Sequence, residues 1–358
     1  MKQFCFSAAL LMVGFCAHAT IRTVSNTPST LAQFNTIQAA INASISGDTV
    51  YVHGSPNAYA AFTITNKQLV IIGPGWAPNK NLPLTAEVNG CTITGASSSN
   101  TEIQGIIFNS AVFINVAPPD NLRFIRNRFI NVGIDLTLHS ATYSGYLFEG
   151  NVFDNASVSA SQISSYQNFL FQNNYFYGKA GSLAGSIVSF TNAVNVLFNH
   201  NLWFGPGSVI NDCFSNNCRF LTLTNNIFVR RNAANAVSSS TYSHNITFNT
   251  GTNNPWAVNG NVDVGGNVEN QDPQMVNQAA VNAGSNNPLL DFTIAAGPAN
   301  NSGSDGKDMG LLYDAAGSLN WTTSRGSRLP YIFGMNIINP TIAQGGTLTV
   351  EVEARKNN

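Results

Sequence analysis

Leu122-Arg-Phe-Ile-Arg-Asn127-Arg-Phe129, Tyr146-Leu-Phe-Glu-Gly-Asn151-Val-Phe153, Phe169-Leu-Phe-Gln-Asn-Asn174-Tyr-Phe176, Val196-Leu-Phe-Asn-His-Asn201-Leu-Trp203 and Leu221-Thr-Leu-Thr-Asn-Asn226-Ile-Phe228 align without a gap. The shared template is apolar-x-Phe/Leu-x-x-Asn-x-aromatic, and its Asn recurs at steps of 24, 23, 27 and 25 residues. Weaker copies precede it at 103–108 and follow it at 246–251 and 262–267. Each copy reads as a short alternating strand, a two-residue corner and a second short strand. Further strand candidates, such as 133–138 and 186–190, lie between copies, and no amphipathic helix fits there. That excludes the strand–helix and helix–helix solenoids, and a propeller blade needs about 40–50 residues. Steps near 24 suit one turn of a parallel β-solenoid with coils stacked about 4.8 Å apart.

Stacking in register accounts for the residue choice. Phe124, Phe148, Phe171, Phe198 and Leu223 form one predicted interior column, and Phe129, Phe153, Phe176, Trp203 and Phe228 a second. Asn127, Asn151, Asn174, Asn201 and Asn226 form a third, at a corner where Asn tolerates a left-handed backbone and can bond to the amide of the next coil.

Composition agrees. The 358 residues include 49 Asn, 30 Gly and 23 Phe, a turn-rich and helix-poor mixture. Only 9% are charged and the formal net charge is −1. Nucleic acid is therefore not an expected partner, because its binding rests on Lys and Arg neutralising phosphates, nor is a polybasic membrane contact. Lys2, an apolar run over 4–15 and Ala17-His18-Ala19 read as a signal peptide over 1–19. Secretion or a cell-surface location follows as an expectation, with no later stretch apolar enough to span a bilayer. In an oxidising compartment Cys213 and Cys218 are expected to form a disulfide across a small loop, while Cys91 reads as a buried free thiol.

The stripe Phe34, Ile37 and Ile41 predicts a capping helix over 33–43, followed by a strand at 49–52. Phe34-Asn-Thr-Ile37-Gln-Ala-Ala-Ile41, Gly47-Asp-Thr-Val-Tyr-Val52 and Leu69-Val-Ile-Ile-Gly73-Pro-Gly75 resemble the N-terminal cap of secreted right-handed parallel β-helix proteins of the pectin-lyase-like superfamily. Asp272-Pro-Gln-Met-Val276, Asp291-Phe-Thr-Ile294 and Gly303-Ser-Asp-Gly-Lys-Asp-Met-Gly310 resemble their closing segment. The resemblance covers about residues 31–314. It implies an all-β, right-handed parallel β-helix over 20–315 with a helical N-cap. A short C-terminal β extension over 316–358 follows, either packing on the last coil or serving as an attachment segment. The superfamily includes lyases, hydrolases, esterases and non-catalytic binders, so the resemblance does not fix an activity.

The sequence carries few groups for chemistry. The acidic cluster of a calcium-dependent lyase is missing, as are the paired Asp motifs and Gly-His-Gly of polygalacturonase-like hydrolases. No metal site or cofactor is expected. Glu149 and Asp154 flank one corner, and a carboxylate pair about 5–9 Å apart could serve glycoside hydrolysis. With Arg126 they are the catalytic candidates; the alternative is ion pairing of the two acids with Arg126 and Arg128 one coil away. Arg128, Tyr175, Tyr177 and His200 are candidate ligand contacts. Tyr175, Tyr177 and Phe204 are expected to face outward, open for sugar stacking or covered by a loop. Arg230-Arg231 reads as a solvated corner, and Asp135, His139 and Asp212 sit in connecting segments. The sequence favours a non-catalytic scaffold that binds extracellular polysaccharide or a cell surface. The alternative is a polysaccharide lyase or glycoside hydrolase acting on pectin-like or other glycans.

Overall fold

The strands stack as a parallel β-solenoid of about nine turns. The computed structural model describes residues 19–28, 30–78, 84–137, 140–178, 186–205, 211–251, 255–314, 319–328, 330–339, 341 and 343–356. The leader expected at 1–19 falls almost wholly outside them, as does His139.

The central coils each contribute to three sheets. The first has 11 strands, running from Ile21–Val24 to Val262–Gly265; the second has 8 and the third 7. All three are parallel, and the registers equate the repeats as their sequences do. Phe124 pairs with Phe148, Phe148 with Phe171, and Phe171 with Phe198. Their ring centroids stand 5.5, 4.4 and 4.4 Å apart and nearly parallel. The second column continues from Phe108 through Phe129, Phe153, Phe176 and Trp203 to Phe228 at spacings of 4.0–5.9 Å. The ring spacing follows the strand spacing, so like rings stack in a continuous column through the interior.

The Asn column is a continuous ladder. Asn127 donates through Nδ2 to the Ile103 carbonyl, and its backbone N–H donates to Asn151 Oδ1. The same pattern joins Asn151 to Asn174, Asn174 to Asn201 and Asn201 to Asn226. It runs on to Asn245 and Asn267, two members that the strongest copies did not reveal. The left-handed residue of each corner is not the ladder Asn but the one before it. Arg126, Asn173, His200 and Asn225 have φ of 53–58°. The ladder Asn must turn its amide inward, and the bend falls to its neighbour, whose side chain is thrown outward.

The helix Ile37–Ala43 caps the first coils, with Thr36 Oγ1 accepting from Ala39 N–H and Ile37, Ala40 and Ile41 buried. Asp48 fastens the cap, accepting from the N–H groups of Thr20 and Ile45 and from Arg22 Nε.

Beyond residue 268 the chain reverses. Residues 275–321 lay a second apolar cluster, including Met275, Phe292, Met309, Leu311 and Trp321, over the outward row Val152, Tyr175, Leu202, Ile227 and Ile246 of the second sheet. Along that row the sheet is thereby buried on both faces. The chain continues to the first coils, where Arg325 Nε donates to the Ala77 carbonyl and Ser327 N–H to that of Pro74. The extension therefore does not pack on the last coil: its connection crosses the flank to the opposite end. It finishes in an antiparallel hairpin of Pro330–Ile337 and Val350–Lys356. Met335, Val350 and Val352 of that hairpin are exposed.

Candidate functional site

The returning segment meets the ladder corner one coil at a time. Ser304 N–H donates to Asn225 Oδ1 at 2.8 Å, and Gly310 N–H to the Asn225 carbonyl at 2.7 Å. One coil on, His200 Nδ1 lies 3.2 Å from the Gly310 carbonyl and Nε2 lies 3.1 Å from Asp305 Oδ2. Leu312 N–H donates to Asn173 Oδ1. At the next corner stands Gly150, where φ is +64° and a Cβ would sit 2.9 Å from Ser324 Oγ, so the absence of a side chain eases the close approach of the returning segment. Arg126 then donates to the Thr323 carbonyl. The residues preceding the ladder Asn vary in sequence because each makes a different contact with the segment crossing it.

These contacts relocate the catalytic candidates. Arg126 is 1% exposed. Burial, with the nearby Arg328 charge, pushes its guanidinium down to about 10 against the opposing pull of Glu149, so it keeps its proton at neutral pH. Glu149 is buried, accepting from Arg328 NH2 and from Gln172 Nε2. Asp154, across the corner on the second sheet, is held by Arg128 NH2. The expected pairing of Asp154 with Arg128 is present, whereas the direct partner of Glu149 is Arg328, some 180 residues away in sequence. Glu149 and Asp154 thus belong to separate ion pairs on different sheets.

The aromatic candidates point outward from the coil, yet two of the three are buried. Tyr175 is 1% exposed, packed on Phe292 at 5.3 Å and Trp321 at 6.3 Å, and burial raises its phenol well above the usual range. Phe204 is fully buried, and Tyr177 is half-buried against it at 5.9 Å. His200 is buried as well. Burial lowers its imidazole below the ordinary range, outweighing the opposing pulls of Asp305 and Gly310.

Two further expectations are corrected. Arg231 is not solvated but 1% exposed, donating to Ser186 Oγ and the Asp212 carbonyl; Gly178 and Gly205 leave the space it fills. Cys213 and Cys218 are free thiols, not a bridge. Asn216 and Asn217 make a left-handed corner between them, and Cys218 Sγ is directed to the Ser215 and Ile187 carbonyls. Burial pushes both thiols up to about 12. Cys91 is free and buried, as expected.

The third sheet presents the opposite case. Its outward row, in register, is Thr63, Thr92, Phe113, Asp135, Ser159, Val188 and Ser215. All seven are exposed or half-buried. Asp135 Oδ1 is used locally by Thr137 N–H. Among the described residues no group of three or more His, Cys, Asp or Glu side chains could hold a metal ion, and no helix is long and apolar enough to cross a membrane. The residues that sequence reasoning missed are Asp305, Trp321, Arg325 and Arg328. They lie in and just beyond the closing segment, and no repeat pattern marks them. Compared with protein-family models the chain matches none, and no curated protein matches it.

Proposed function

We propose that the protein is a secreted, right-handed β-helix scaffold of the pectin-lyase-like kind that binds extracellular carbohydrate or a cell surface without cleaving it. The observation that carries this reading is the commitment of the candidate reactive groups to internal partners: Arg126 to Thr323, Glu149 to Arg328, Asp154 to Arg128 and His200 to Asp305. Glycoside hydrolysis needs two carboxyl groups facing one bond, and uronate elimination needs a base aimed at the α-proton. The row of the third sheet, where Thr63, Thr92, Ser159 and Ser215 carry hydroxyls and are exposed or half-buried, supports the binding half of the reading, since hydroxyls on a rigid face suit sugar hydroxyls.

The test is a screen of pectic and neutral polysaccharides with and without calcium. It should follow unsaturated-product absorbance, reducing ends and retardation of the protein in polysaccharide-loaded gels. The expected result is retardation by at least one polysaccharide and no turnover. Turnover above a boiled control would overturn the scaffold reading.

A further inference from the structure

We propose that the cleft between the first coils and the returning segment binds one pyranose unit of a glycan; this names a ligand site for the carbohydrate-binding reading and rests on it. The cleft has a volume of about 290 Å³, and its lining includes Trp76, Pro288, Asp291, Tyr313, Trp321 and Arg325. Trp76 and Trp321 are 4% and 3% exposed, with ring centroids 5.9 Å apart and planes inclined at 36°. Together they form a bent apolar wall. Trp321 Nε1 donates to the Pro288 carbonyl. Trp76 Nε1 is buried and has no hydrogen-bond partner among the described residues. A buried donor without an acceptor is costly, so the indole serves the cleft through its ring.

The polar groups around this wall are positioned by bonds that leave part of each available. Arg325 Nε is fixed on the Ala77 carbonyl, which orients the fork and leaves its terminal nitrogens for a ligand. Asp291 uses Oδ1 to accept from the N–H and hydroxyl of Thr293, leaving Oδ2 as an acceptor. The Tyr313 hydroxyl accepts from Phe292 N–H and retains its own proton for donation. The cleft therefore combines apolar rings, several donors and one carboxylate acceptor. A pyranose matches this set, with a C–H face for the indoles and hydroxyls that both donate and accept. A purely apolar ligand would leave the donors unmet, and a small anion would meet Asp291. The opposite charges of Arg325 and Asp291 favour a neutral sugar over a uronate. The volume lies at the small end for ligand pockets and suits one sugar unit, with the exposed Leu289 and Thr322 at the edge where a chain would continue.

The test uses the full chain with ¹⁵N-labelled tryptophan, which gives an indole signal for each of its 4 Trp. It is titrated with methyl β-glucopyranoside, methyl β-galactopyranoside and galacturonate. A neutral glycoside should move the Trp76 and Trp321 signals and leave those of the interior Trp203 and Trp256 in place, with galacturonate binding several-fold more weakly. Trp76→Phe shortens the apolar wall and should weaken binding about tenfold; Asp291→Asn, at an exposed position, about threefold. Unmoved Trp76 and Trp321 signals, or unchanged affinity in both variants, would overturn the site. Polysaccharide gels separate this from the parent reading. Retardation that is equal in wild type and both variants keeps glycan binding and removes this cleft. Absence of retardation in the wild type removes the parent reading, and the glycoside titration still decides the cleft.

Discussion

The ladder corner and the third sheet are built from the same coils, yet polar side chains meet opposite fates on them. At the corner, Arg126, Glu149 and His200 point out of the solenoid and are nevertheless buried, because the chain returns over them. On the third sheet, Thr63, Asp135 and Ser159 point out in the same sense, yet Thr63 is exposed and the other two only half-buried. A β-solenoid specifies inside and outside of each coil through alternation. Which outside faces meet water is specified by segments that are not part of the repeat. Charge on the covered flank must be paired, because an unpaired buried ion is costly, and it is paired largely by residues from the far end of the chain.

The largest effect should come from breaking the ladder beneath the covered corner. Asn174→Leu removes the donor to the Phe148 carbonyl and the acceptor for Asn151 N–H. Two buried backbone groups are orphaned, for a loss of about 3 kcal/mol in denaturant unfolding. A loss under about 0.5 kcal/mol would mean that the ladder is decorative. Next in size is Arg328→Met, which leaves the buried Glu149 with the Gln172 hydrogen bond and the nearby Arg126 charge. Arg328 is itself about one-third exposed, so solvent screening reduces the loss to about 1–2 kcal/mol. Faster amide exchange over 320–328, with the ladder coils unchanged, would locate the effect in the returning segment.

Acid should loosen the same flank. The His200 imidazole is held below its ordinary 6.5. The Asp305 carboxyl is held below its ordinary 3.8: burial raises it, but the Lys307 N–H and His200 outweigh that. Both groups bind fewer protons in the folded state than in the unfolded one. Their contribution is therefore complete above pH 6.5, declines as pH falls through the folded value of His200, and declines further below 3.8 as Asp305 takes up its proton. Exchange protection over 302–313 measured from pH 7.5 to 4.5 should fall with pH, and His200→Gln should flatten the upper part of that profile. The smallest effect belongs to the open face: Thr63→Ala, whose side chain is exposed, should change stability by less than about 0.5 kcal/mol. A larger change there would show that the third sheet is covered in solution.

The repeat made the coils legible because stacked registers force like residues into like positions. Phe124, Phe148, Phe171 and Phe198 fall into one column on the repeat alone, since a one-residue slip would turn every ring to the opposite face. The Asn ladder was legible for the same reason. The exposure of Tyr175 and Phe204 was not, because alternation distinguishes the two faces of a strand and carries no information about what lies against the outer one. The Cys213–Cys218 pair shows a related failure. Short spacing brings two cysteines near in sequence, but the intervening corner directs Cys218 Sγ to backbone carbonyls.

What the sequence determined by itself was the coil: its period, its interior columns, its Asn corner and its capping helix. Each is a local or nearest-neighbour property that repeats, so it leaves a periodic trace in the chain. What only the tertiary structure decided was the role of the corner residues and the partner of each charge. Glu149 meets Arg328, His200 meets Asp305 and Arg126 meets Thr323 across separations of 179, 105 and 197 residues. Such contacts are each made once, between a repeating surface and a non-repeating segment. The periodicity that discloses the solenoid therefore contains no record of them, and only the path of the returning chain fixes which side chains meet.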